Sequence, residues 1–155
     1  EDLITASKQC NSECELYLIG GKPTKEYLEI NSNNVHYIDF VLPEDVYKYY
    51  MAADLFVLPS ETDVWGLVIN EAMSKGLPVI SSDSPVAAKN LVDGNGIIYK
   101  TYDVDALSNA IDICLDKKNN SKMSKQSLEN IKEYTIENMV KRQKPFIEEY
   151  FDSIK

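Results

Sequence analysis

Between residues 15 and 100 the chain alternates short apolar runs with stretches of helix formers, and this alternation restricts the available folds more than its composition does. ELYLIG (15–20) is a short apolar run ending at Gly20-Gly21, and KPTKEYLEI follows with helix formers behind Pro23. NVHYIDF (34–40) is rich in β-branched and aromatic residues. Pro43 then opens EDVYKYYMAA, whose Glu44 and Asp45 suit a helix N-terminus. LFVLPS (55–60) is continuously apolar, as a strand covered on both faces should be. The pattern repeats with GLVINEAMSKG as helix, PVISS as strand, SPVAAKNLV as a short helix, the turn DGNG and the strand GIIYK. Five such alternations predict an α/β fold of the Rossmann-like, doubly wound kind: one open parallel sheet of about five strands with helices on both faces.

After residue 102 the strands stop. Asp103 is placed to cap a helix that puts Leu107, Ile111, Cys114 and Leu115 on one face. Two more helices are expected at about 122–134 and 136–154, the last kinked or ended at Pro145. No repeat and no linker rich in Gly, Ser or Pro divides residues 1–155, which predicts a single domain. EDLITASKQC reads as a helix without the strand that ordinarily precedes it, so the first strand of the domain is expected to be missing and the chain to be part of a larger enzyme.

The 155 residues are 44% hydrophobic and 26% charged, as in a soluble globular protein. A formal charge of −9 argues against nucleic acid as a partner, because phosphate-backbone binding needs a clustered basic face. A small anion can still be held by backbone N–H groups in an acidic protein. Cys10, Cys14 and Cys114 form neither an even set nor a metal spacing with His36, the one histidine; free thiols are expected, with no metal. No secretory signal and no apolar stretch of about 18 residues is present, and a cytoplasmic location is expected.

The richest segment is ETDVWGLVINEAMSKGLPVI (61–80). In open parallel sheets ligands lie beyond the carboxyl ends of the strands, and PSETDVWG is a loop of that kind. Trp65 and Gly66 stand at the mouth of the next helix, so the unpaired N–H groups of Gly66, Leu67 and Val68 form an anion site with the helix dipole. Glu71 falls about a turn and a half further along. If buried in so apolar a helix it needs partners, and a vicinal diol could supply two hydrogen bonds. The plainer alternatives are a surface Glu71 paired with Lys75 and an Asp63 that caps its own loop.

The stretch YYMAADLFVLPSETDVWGLVINEAMSKGLPVISSD resembles the donor-binding half of GT-B fold retaining glycosyltransferases (group 1). That family's pattern is approximately A-D-x-F-V-x-P-S followed by E-x-F-G-L-V-x-x-E-A-M-A-x-G-x-P-V-I. The matching positions are Ala53, Asp54, Phe56, Val57, Pro59, Ser60, Gly66, Leu67, Val68, Glu71, Ala72, Met73, Gly76, Pro78, Val79 and Ile80. Weaker similarity through LYLIGGKP, NVHYIDFV and LVDGNG extends the resemblance over nearly the whole chain.

The resemblance implies a domain that binds a nucleotide-diphospho-sugar, UDP- or GDP-linked, as substrate rather than cofactor, without metal. It implies that Glu71 holds the ribose hydroxyls, that the N–H groups of Trp65, Gly66 and Leu67 approach sugar and diphosphate, with Val68 behind them, and that the base lies near Phe40 and Val41. The family's first glutamate, which contacts the transferred sugar, is replaced by Asp63, one methylene shorter; Glu61 is a second candidate. Lys22, Asp39 and Asn90 also depart from the pattern. The acceptor, a carbohydrate or lipid-linked molecule, would be bound by a domain outside this chain, and polysaccharide or glycolipid synthesis would be the context. An epimerase or phosphorylase of the same architecture, or a non-catalytic binding or scaffold module, would share these features. A dehydrogenase would not, since no G-x-G-x-x-G opens a strand-to-helix turn.

Overall fold

The computed structural model describes residues 1–25, 27 and 33–154. In chain order it contains helix α1 (Asp2–Gln9), strands β1 (Leu16–Ile19) and β2 (Val35–Ile38), α2 (Pro43–Ala52), β3 (Phe56–Leu58), α3 (Leu67–Ser74), β4 (Val79–Ser82), α4 (Val86–Leu91), β5 (Gly96–Tyr99), α5 (Val104–Leu115), α6 (Lys117–Asn130), a 3-10 turn (Ile131–Tyr134) and α7 (Ile136–Ser153). The helix expected behind Pro23 rests on residue 26 and residues 28–32, which lie outside the described residues.

All strand pairing is parallel, as the alternation predicts, but the strands form two sheets instead of one. β1 pairs with β2, while β3, β4 and β5 form a second sheet in that order. No ladder joins β1 to β3 among the described residues, and β3 consequently has one paired edge. That also corrects the expectation for LFVLPS: Phe56–Leu58 is half-buried, whereas β4 is buried at every residue. β4 has a strand on either side and helices above and below.

Side-chain alternation along β3 and β4 divides the core into two layers. On one face Ile80 and Val57 join Leu3 and Ala6 of α1, Tyr99 of β5, and Leu107, Ala110, Ile111 and Cys114 of α5; Leu16 and Leu18 of β1 pack against the same cluster. On the other face Val79, Phe56 and Leu58 meet Ile69 and Met73 of α3 with Ala87, Ala88 and Leu91 of α4. Each fully buried Leu or Ile here contributes about 1.5 to 3 kcal/mol of burial free energy. Helices therefore cover both faces of the three-stranded sheet. That fixes α3, and with it Glu71, against β3 and β4.

Polar groups close the ends. Asp103 Oδ accepts from Ala106 N at 2.8 Å, as expected of its capping position. Asp116 alone separates α5 from α6 and caps the latter through Lys118 N and Asn119 N. Asn95, wholly buried, accepts from Asp93 N at 2.7 Å and donates to Ser127 Oγ, which donates to Leu77 O at 2.6 Å. This chain of bonds ties α6 to the turn before β4.

Pro145 does not end the last helix: α7 runs from Ile136 to Ser153 with Pro145 inside it. The missing N–H leaves the Lys141 carbonyl without its helical donor. No residue of α7 is buried, so water can reach that carbonyl. Three thiols are free; the sulfurs of Cys10 and Cys14 lie 3.8 Å apart. Among the described residues no helix is long and apolar enough to cross a membrane, and no group of three or more His, Cys, Asp or Glu side chains is arranged around a metal position.

Candidate donor site at the head of the third helix

The loop from Pro59 to Gly66 is held by hydrogen bonds from both neighbouring segments. Ser82 Oγ, at the end of β4, donates to Ser60 O at 2.5 Å, and Ser84 Oγ donates to Glu61 O at 2.7 Å. Ser60 Oγ donates to Thr62 O, and Ala87 N of α4 donates to Trp65 O at 2.9 Å. The loop is thereby fixed to the carboxyl ends of β3 and β4 before α3 begins.

Gly66 is the residue before the helix and has φ +94°, a left-handed conformation that suits glycine. A Cβ there would touch Leu58 and Pro85 at 3.4 Å, so the loop lies close on the sheet. Glycine offers no side-chain acceptor, and the first N–H groups of α3, those of Leu67 and Val68, begin the helix without a side-chain cap. Around them Val64, Trp65 and Leu67 are exposed, Leu67 to 67%.

Trp65 N is not open in the same way. It donates to Asp63 Oδ1 at 2.9 Å, an Asx-type turn across two residues. The expectation that the Trp65 amide faces a ligand is corrected: its proton is already engaged, which leaves the amides of Gly66, Leu67 and Val68. Half-buried Asp63 has its second oxygen, Oδ2, outside this bond.

Glu71 is exposed on α3, not enclosed in an apolar helix core. Its carboxylate partner is neither Lys75 nor a buried donor but Tyr50 of α2, whose hydroxyl donates to Oε2 at 3.0 Å. The Tyr50 ring meets Phe56 edge-on, with centroids 5.8 Å apart at 67°. Burial, followed by the bond to Glu71, holds the Tyr50 phenol above the usual tyrosine range, so it stays protonated as a donor. Nothing in the sequence marks Tyr50 as this partner, because a contact over 21 residues leaves no local signal.

Phe40 and Val41 line an open depression of about 610 Å³ with Leu42, Asp45 and Tyr49. Phe40 is 70% exposed, and its amide is bound by Asp39 Oδ1 at 2.7 Å. Glu71 does not line this depression. The two are linked through the last turn of α2, where Tyr49 lines the hollow and Tyr50 reaches the carboxylate. A second depression, about 570 Å³, lies beyond the carboxyl ends of β1 and β3 and is lined by Leu18, Tyr27, Pro59, Glu61 and Tyr102. Residues 63 to 68 line neither of these two depressions.

His36 is occupied elsewhere. Its Nε2 lies 2.6 Å from Glu15 Oε2, and its ring stacks on Tyr17, its partner in the β1–β2 register, at 4.6 Å. Asp83, just after β4, accepts from Thr101 Oγ1 and Thr101 N and from Lys100 Nζ; these bonds hold it well below the carboxylate range.

A parallel three-stranded sheet covered by helices on both faces, with a pinned loop leading from one strand into the next helix, defines an α/β domain of the Rossmann-like class. The profile of the family described as glycosyl transferases group 1 matches residues 1–137, and the chain belongs to that family. It is 27% identical over 128 residues to a GDP-mannose-dependent alpha-mannosyltransferase of Corynebacterium glutamicum, covering 81% of this chain and 31% of the relative. Its fold matches sucrose-phosphate synthase from Thermosynechococcus elongatus with a TM-score of 0.81, at 24% identity, covering 98% of this chain and 42% of that one. HepE of Anabaena, solved in complex with UDP, matches with a TM-score of 0.80 at 23% identity, covering 98% of this chain and 44% of that one. The chain thus spans less than half the length of each of these proteins.

Proposed function

We propose that this chain binds the nucleoside-diphospho-sugar donor of a retaining glycosyltransferase. The observation that carries the reading is Glu71: a solvent-exposed carboxylate on the helix that follows the pinned loop, one oxygen held by Tyr50 and the other open to accept from the ribose diol. The amides of Gly66, Leu67 and Val68 face the diphosphate with the positive end of the α3 dipole. Asp63 approaches the transferred sugar through Oδ2, and the base lies toward Phe40 and Val41.

In the reaction the bond from the anomeric carbon to the β-phosphate oxygen breaks, a bond to an acceptor hydroxyl oxygen forms on the same face of the sugar, and the proton of that hydroxyl passes to the leaving diphosphate. The leaving diphosphate takes up the developing charge, and preorganised N–H groups stabilise it without a metal. The donor is UDP- or GDP-linked: one similar enzyme is named for GDP-mannose, and one similar fold was solved with UDP. The acceptor is a carbohydrate or lipid-linked hydroxyl held by residues beyond this chain, in polysaccharide or glycolipid synthesis on the cytoplasmic side.

Calorimetric titration of the chain with UDP, GDP and their sugar conjugates tests this. Binding by the parent and its loss in Glu71→Ala is the expected result; equal binding by that variant, or no binding of any nucleotide, overturns it. The 155 residues alone are expected to transfer no sugar.

A further inference from the structure

We propose that Tyr50 is a positioning residue that fixes the Glu71 carboxylate for the ribose hydroxyls of the donor, an inference that rests on the donor-site reading above. A glutamate on an exposed helix face samples several rotamers, and each must be given up when it grips a diol. Here one rotamer is selected in advance. The Tyr50 hydroxyl donates to Oε2 at 3.0 Å, leaving Oε1 and the remaining lone pairs for a ligand.

The tether is itself rigid. Tyr50 stands in the last turn of α2, half-buried, with its ring edge-on to Phe56, which belongs to the core layer between β3 and α3. A donor anchored in that packing cannot follow the carboxylate if it swings outward. Because the phenol is neutral, it orients the carboxylate without cancelling the charge that draws hydroxyl donors. Tyr49, the preceding residue, lines the hollow shared with Phe40 and Val41. The last turn of α2 therefore sets the spacing between a base in that hollow and a ribose on Glu71.

The test is a comparison of Tyr50→Phe, Glu71→Ala and the double variant, titrated with UDP and GDP and with their 2′,3′-dideoxy forms. Phenylalanine keeps the ring packing on Phe56, and melting curves check that the fold is retained. Tyr50→Phe is expected to weaken ribonucleotide binding about three- to tenfold, the effect of one lost hydrogen bond. The dideoxy forms should bind parent and Tyr50→Phe alike, and the Phe change should add nothing once Glu71 is alanine.

If Glu71→Ala weakens binding while Tyr50→Phe does not, the positioning inference is overturned and the donor site stands. An equal loss with both sugar forms shows Tyr50 to be merely structural and also overturns it. If Glu71→Ala binds as the parent does, the ribose reading itself fails.

Discussion

Gly96 lies directly opposite Val79 in the β4–β5 register, so close that a Cβ on Gly96 would stand 1.8 Å from the Val79 carbonyl oxygen. The neighbour is backbone in a fully buried strand and cannot turn aside. Gly96→Ala is expected to cost about 3 kcal/mol or to prevent folding, read as a fall in the urea midpoint. An unchanged midpoint would mean that the two strands can separate locally at no cost.

Asp112 gathers four hydrogen bonds from the turn after α1: from the amides of Asn11 and Ser12 and from both their side chains, at 2.7 to 3.0 Å. Partial burial pushes its pKa up, but those bonds outweigh it and bring the value down to about 2. Asp83 is lowered as well, first by the Thr101 hydroxyl. For a depressed carboxylate the stabilisation is complete above the unfolded pKa, near about 3.9, and is lost as pH falls through the folded value. Stability should therefore drop between about pH 4 and pH 2. Asp112→Asn should flatten that part of a denaturation-versus-pH curve, and Asp112→Ala should cost about 1 to 2 kcal/mol at neutral pH. A pH profile of Asp112→Asn that overlays the parent's would count against this account.

Asp63 holds the amide of Trp65, the chain's one tryptophan, so emission at that residue reports on the loop. Asp63→Ala frees the amide and costs about 1 kcal/mol of loop order. Trp65, 39% exposed, should then shift to redder emission and be quenched more readily by acrylamide. Asp63→Asn retains the acceptor oxygen and should leave the spectrum unchanged, even if sugar binding is affected. Identical quenching of the alanine variant and the parent would show that the loop is held without Asp63, by the bonds from Ser82, Ser84 and Ala87.

Asn70 carries the one buried side-chain oxygen, Oδ1, that has no hydrogen-bond partner among the described residues. An unpaired acceptor is a net cost, and alanine is also the better helix former at this place in α3. Asn70→Ala should leave stability unchanged or raise it by about 0.5 kcal/mol. A melting temperature several degrees lower would mean that Oδ1 is satisfied.

The sequence by itself determined the order of elements, the parallel pairing and the helices on both faces of a sheet. It also located the loop before Gly66 and put Glu71 about a turn and a half into the following helix. Those features depend on local chemistry: apolar periodicity, Pro43 at a helix start, Asp103 as a cap, glycine where φ is positive. Only the tertiary structure decided that the strands form two sheets, that β3 is half-buried and that α7 continues through Pro145. It alone joined Tyr50 to Glu71 and Asp112 to Asn11, 21 and 101 residues apart. The physical reason is range: a periodicity or a cap is set by neighbours along the chain, whereas a hydrogen bond between distant residues exists only once packing has fixed where both groups lie.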